Sequence, residues 1–227
     1  MSPRVKLKKT ATLFEGSGAL PFDPAHACAH LTGADPIMGG LVARVGALGL
    51  QRRTQRSPFE SLAESIVYQQ LNGRAAETIH NRVLALFPRK RIQPELLLAL
   101  PDLKLRGAGL SQNKMLALQD LSRKTIAGLV PSWKQLELLD DETIIERLTE
   151  VRGIGRWTVQ MLLIFRMGRP DVLPVDDFAV RKAFGQLYRV RGEVDRKRLE
   201  KHAEKWRPFR SAASWYLWRH LDTAVPD

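Results

Sequence analysis

From His26 onward the chain repeats one local pattern, and that pattern confines it to helices: a start signal, then apolar residues three and four apart, then a Gly or Pro stop. Ser57-Pro58-Phe59-Glu60 is a capping box with proline at the first helical position, followed by Phe59, Leu62, Ile66 and Val67 at helical spacing. Gly73 breaks that run, and Ala76, Ile79, Val83 and Leu86 form a second stripe ending before Pro88. Further helices are expected over Pro94 to Leu100, Lys114 to Leu129, Asp177 to Leu187, Asp195 to Trp206 and Arg210 to Leu221, with Ser132 opening another capping pattern. Residues 156–167 are apolar almost all round, which predicts a helix buried on most sides. No alternating strand pattern follows residue 20. The expected fold is all-α: two helical lobes flanking a cleft, the middle lobe at about 57–175 and the other built from the N-terminal segment plus the C-terminal helices. Residues 1–20 are expected to be a basic flexible arm ahead of a helical domain over 21–227.

Charge and cysteine content narrow the function classes. Lysine and arginine number 36 against 24 acidic residues, a net charge of +12. A field of that sign attracts phosphodiester backbones, and counterion release makes such binding favourable. One cysteine, Cys28, excludes an intrachain disulfide framework, a four-thiolate zinc site and a cysteine-ligated iron–sulfur cluster. His26 and His30 flank that cysteine without the acidic or thiolate neighbours a metal site needs. The longest uncharged apolar stretch, Trp157 to Phe165, is far short of the ~18 residues of a membrane span. No apolar run follows the basic first ten residues as a secretory signal would require. The expectation is an intracellular monomer without membrane partners, in the cytoplasm and nucleoid of a bacterium or the nucleus of a eukaryote.

Two stretches carry the chemistry. In the first, Leu148 to Thr158, an amphipathic helix (Ile144, Ile145, Leu148, Val151) ends at Gly153-Ile154-Gly155 and a second helix begins at once. Glycines there permit a tight reversal and the close approach of another backbone, while the new helix turns unpaired N–H groups outward. Arg152 and Arg156 add charge, and Ile154 would plug the hairpin into the core. An ordinary helix–helix turn would use the same glycines, so the motif alone is ambiguous. In the second stretch, Gly168 to Phe178, two prolines stiffen a loop leading into a helix at Asp176-Asp177. One aspartate serves as an N-cap, a role expected of Asp176. The second, Asp177, would then point into the cleft.

Together, Gly153-Ile154-Gly155-Arg156-Trp157-Thr158 and Leu173-Pro174-Val175-Asp176-Asp177-Phe178 resemble the helix-hairpin-helix DNA glycosylases with a Gly/Pro-rich loop and a catalytic aspartate. The likeness is greatest to the 3-methyladenine DNA glycosylase II branch, which removes alkylated purines. Ile66 to Leu71, Gly107 to Ser111 and Trp206 to Ser211 support it, and it spans about residues 20 to 222. The resemblance implies base-excision repair: hydrolysis of the N-glycosidic bond of 3-methyladenine or 7-methylguanine in duplex DNA, by base flipping, leaving an abasic site. It implies Asp177 as the catalytic carboxylate. Trp157, Phe209 and Met161 would line the base pocket, although Met161 stands where better-known relatives carry an aromatic residue. The DNA-contacting set would be Gln70 and Leu71 at the extruded nucleotide, with Gly153, Ile154, Gly155 and Arg156 gripping the backbone. Carbonyls of Thr149, Val151 and Ile154 would hold a monovalent cation, Na+ or K+; no other cofactor is implied. Strand-cutting members carry lysine where this chain has Trp157, and tryptophan cannot form a Schiff base, so a monofunctional enzyme is expected. The alternative is a helix-hairpin-helix DNA-binding protein without enzymatic activity.

Overall fold

The computed structural model describes residues 18–223, whose regular elements are all helical, apart from one isolated antiparallel bridge. Residues 1–17, most of the expected basic arm, lie outside the described residues. Gly18, at its end, exchanges two backbone hydrogen bonds with Arg52, at 2.9 and 3.1 Å. The chain divides into two compact units: residues up to Thr54 with those from Leu163 onward, and Gln55–Leu162 between them. The sequence placed the second boundary near 175, whereas the division falls between Leu162 and Leu163.

The contiguous unit holds α3 (Pro58–Tyr68), α4 (Gly73–Leu84), α5 (Pro94–Ala99), α6 (Asp102–Gly107), α7 (Gln112–Ile126), α8 (Trp133–Glu137), α9 (Asp141–Thr149) and α10 (Arg156–Leu162). The capping box at Ser57 forms as read: the Ser57 hydroxyl accepts the Glu60 N–H, and the Glu60 carboxylate accepts the Ser57 N–H. Ser111, Ser132 and Asp140 open α7, α8 and α9. Helix α7 packs against α3, α5 and α6, and Leu62, Ile66, Leu97, Leu105, Met115 and Leu118 are fully buried. Helix α6 went unforeseen: it has no side-chain cap and, unlike α5, which opens on Pro94, no proline at its first position.

The other unit holds α1 (Pro24–Ala34), α2 (Pro36–Val45), α11 (Phe178–Leu187), α12 (Arg196–Ala203) and α13 (Arg210–Thr223), with a π-helical segment Leu163–Met167. Helix α13 packs against α1, α2 and α11. At its centre the buried Asp35 carboxylate caps α2 through the Ile37 and Met38 N–H groups. The same carboxylate accepts bonds from Tyr188 Oη (2.6 Å) and Trp206 Nε1 (2.9 Å), and lies 3.0 Å from His202 Nε2 and 3.1 Å from Lys205 Nζ. Burial alone would lift its pKa, but these donors outweigh that and hold it well below the usual carboxylate range. Burial also pushes the His202 imidazole below its ordinary value.

Candidate active site and nucleic-acid interface

In the contiguous unit, α9 and α10 form the expected hairpin. Ile154 is 4% exposed and plugs it inward, while Gly153, Gly155 and Arg156 face outward. The two glycines are there for different reasons. Gly153 has φ +78°, a left-handed conformation that side chains resist, and a Cβ there would stand 3.3 Å from the Ala117 methyl. Gly155 is outside the left-handed region, and a Cβ on it would meet nothing of this chain within 4 Å. Neither its own backbone nor internal packing demands a glycine at 155.

Helix α7 braces the hairpin. The Arg152 N–H donates to Asp120 Oδ2 at 2.8 Å, Lys124 Nζ donates to the Glu150 carbonyl, and Lys124 and Asp120 pair at 3.2 Å. Arg156 pairs with Glu142 at 2.5 Å. Gln69, a residue that the sequence reading passed over, donates from Nε2 to the Gly153 carbonyl at 2.8 Å and ties the end of α3 to the hairpin. Its signal was available: Leu62, Ile66 and Gln69 continue one inward helical stripe, which Gln70 leaves. Lys114 Nζ braces the same helix end through the Val67 carbonyl at 2.7 Å, and partial burial pulls its pKa down. Beyond Gln69 the chain turns sharply, with Gln70 at φ +56°, and both Gln70 and Leu71 are exposed.

Among the residues read as a cation site, the Val151 carbonyl accepts the Ile154 N–H at 3.0 Å. A carbonyl has two lone pairs, so this one can still coordinate. Neutral carbonyl oxygens suit a monovalent ion, and the described residues contain no His/Cys/Asp/Glu cluster able to hold a metal. The chemistry of the donor set, neutral oxygens alone, is of the kind a monovalent ion takes.

Trp157 and Met161 lie one turn apart on α10, on the same face. The all-round burial expected of residues 156–167 does not extend to Trp157, which is 46% exposed at the helix start; Met161 is partly buried. In the other unit, Phe209 is 7% exposed, with its ring packed among Phe22, His26 and His30 at 5.3–5.7 Å between centroids. Phe178, at the start of α11, is 70% exposed.

The capping aspartate is not the one expected. Asp177, not Asp176, is the N-cap of α11: its Oδ1 accepts the Val180 N–H at 2.8 Å. Asp176 instead pairs with Arg196 at 2.7 Å. Asp177 is 8% exposed, and the same Oδ1 accepts the indole N–H of Trp218 at 3.1 Å. Trp218 is buried and stacked on Phe165 (5.5 Å, 29°), but its polar edge belongs to the aspartate.

A hairpin of two helices around Gly-x-Gly and a Gly/Pro-rich loop ending in a helix-capping aspartate define a helix-hairpin-helix repair protein. The profile of the HhH-GPD superfamily base excision DNA repair proteins matches residues 63–208, and the chain belongs to that family. It is 38% identical over 192 residues to DNA-3-methyladenine glycosylase 1 of Schizosaccharomyces pombe, covering 84% of each chain. The structure of the S. pombe 3-methyladenine DNA glycosylase in complex with abasic DNA superposes with a TM-score of 0.80 at 36% identity, over 89% of this chain and all of that one. A DNA-3-methyladenine glycosidase from Bacillus halodurans gives 0.78 at 34% identity, over 87% of this chain and 89% of the other. None of the described helices is long and apolar enough to cross a membrane.

Proposed function

We propose that this chain is a monofunctional DNA glycosylase of base-excision repair. It hydrolyses the N-glycosidic bond of alkylated purines of the 3-methyladenine and 7-methylguanine type in duplex DNA. Similarity to enzymes named for 3-methyladenine supports the substrate class. The observation that carries the reading is Asp177, an aspartate fixed at a helix start by two neutral N–H donors to one oxygen.

Alkylation at N3 or N7 makes a purine cationic and already a good leaving group, so the protein must expose the nucleotide and stabilise the sugar. Flipping costs a few kcal/mol, less for a damaged base. The exposed Gln70 and Leu71 would fill the gap that the nucleotide leaves. The hairpin would hold the backbone through the N–H groups at Gly153 and Gly155, with Ile154 anchoring it and Arg156 adding charge. Carbonyls of Thr149, Val151 and Ile154 would hold a Na+ or K+ ion, which supplies positive charge beside phosphate.

Positive charge develops on the deoxyribose as the base departs, and the Asp177 carboxylate would stabilise it and orient the attacking water. Trp157 offers an electron-rich face to the cationic base, with Met161 beside it on the same helix face. With tryptophan at 157, no amine at that position can attack the sugar, so the product is an abasic site on an uncut strand. Such an enzyme works where the genome lies, inside the cell.

The test is single-turnover release of methylated purine from alkylated duplex DNA. Asp177→Asn should slow release by about 100-fold or more while keeping affinity for abasic-site DNA. Equal release by the two proteins would refute the assignment, and a borohydride-trapped covalent adduct would refute the monofunctional reading.

A further inference from the structure

We infer that Trp218 is a positioning residue for base release, and that α13 is the element which sets where Asp177 stands. This rests on Asp177 acting as proposed above. Helix α13 holds the Gly168–Asp177 loop at both of its ends. At the helix start, the Ser211 hydroxyl donates to the Arg169 carbonyl (2.7 Å) and accepts the Val172 N–H (2.9 Å), while the Ser211 N–H donates to the Pro170 carbonyl (3.0 Å). Arg210 grips Asp171 in a fork, Nε to Oδ1 at 2.7 Å and Nη2 to Oδ2 at 3.1 Å, and Arg207 adds a third bond to the same carboxylate at 2.6 Å. Seven residues along, Trp218 reaches Asp177. Seven residues are two helical turns, so Ser211 and Trp218 project from one face about 10 Å apart along the axis. The loop is therefore pinned near residue 171 and again at residue 177 against one rigid spacing.

The cap alone does not account for the indole bond. An N-cap needs a single acceptor contact with its helix, and Val180 provides it. The second donor, from a different helix, fixes Oδ1 from another direction. With one carboxylate oxygen held at two points, the rotation of the carboxyl group and the direction of Oδ2 are set as well. Nor does burial of the indole account for it. Trp215, three residues earlier and equally buried, keeps its indole N–H without a hydrogen-bond partner, so this helix tolerates an unbonded indole. The Phe165 ring stacked on Trp218 holds the indole plane in turn.

The experiment compares wild type, Trp218→Phe, Asp177→Asn and the double variant. A fifth protein carries β-(3-benzothienyl)alanine at 218, which replaces the N–H with sulfur and keeps the ring's shape, so that packing is preserved if Phe leaves a cavity. Single-turnover base release should fall about 10- to 100-fold in both residue-218 variants, the range expected when a reacting group is displaced by about an ångström. Affinity for abasic-site duplex should change less than twofold, and the residue-218 effect should vanish in the Asp177→Asn background. Wild-type rates in the benzothienyl protein, or an undiminished residue-218 effect without Asp177, would overturn the inference. Wild-type release by Asp177→Asn would instead overturn the assignment of Asp177, so the two failures are distinguishable.

Discussion

Replacing each hairpin glycine by alanine should split stability from binding. At Gly153 the φ of +78° places alanine in the left-handed region, which costs about 1–2 kcal/mol, and its methyl would press on Ala117 at 3.3 Å. Gly153→Ala should therefore lower the free energy of unfolding by about 1–2 kcal/mol, read from urea denaturation at constant m-value. At Gly155 no such strain exists and the space is open. Gly155→Ala should leave stability unchanged or raise it by up to ~1 kcal/mol, because alanine narrows the unfolded ensemble. If the vacancy at 155 exists for a DNA backbone, Gly155→Ala should still weaken duplex binding by about 5-fold or more, near 1 kcal/mol, and Gly155→Leu should weaken it further. The loss should be the same for every base sequence, since phosphate contacts carry no sequence information. Equal destabilisation by the two alanines, or wild-type affinity in both residue-155 variants, would refute the reasoning.

Trp157→Ala should slow release of cationic bases more than of neutral deaminated ones, by a further ~2- to 30-fold, the kinetic equivalent of a cation–π contact of 0.5–2 kcal/mol; parallel release assays on both lesions check it. Asp35→Asn removes the charge from a buried hub, and urea unfolding at pH 7 should show a loss of about 3 kcal/mol or more. The folded-state pKa of Asp35 lies below the unfolded value of about 3.9, so its contribution is complete above that value and is lost as pH falls further. The gap between wild type and variant should therefore narrow at pH 3. His202, also depressed on folding, adds acid sensitivity already below about pH 6.5.

Features that depend on neighbours in the chain were legible from the sequence; features that depend on distant ones were not. The Ser57 capping box, the Ile154 plug and the hairpin all arise from residues within a few positions of one another. The Asp176/Asp177 error shows the limit. Either aspartate satisfies a helix start, and the choice depends on which one meets an indole 41 residues away. Asp35 was invisible for the same reason, since its partners at 188, 202, 205 and 206 come from the far end of the chain. The run at 156–167 predicted burial correctly for Val159, Leu163 and Ile164, but hydropathy cannot distinguish a tryptophan meant for the core from one left half-exposed at a helix start.

The interleaved order of the two units bears on how the protein is made. Residues 55–162 emerge from the ribosome as one uninterrupted stretch, so the hairpin and its bracing lysines can form while translation continues. The segment before them waits for partners made after residue 162, and Asp177 in turn waits for the helix that carries Trp218, 41 residues further on. A nascent chain thus completes its helical hairpin before the loop that carries Asp177 can be pinned by α13.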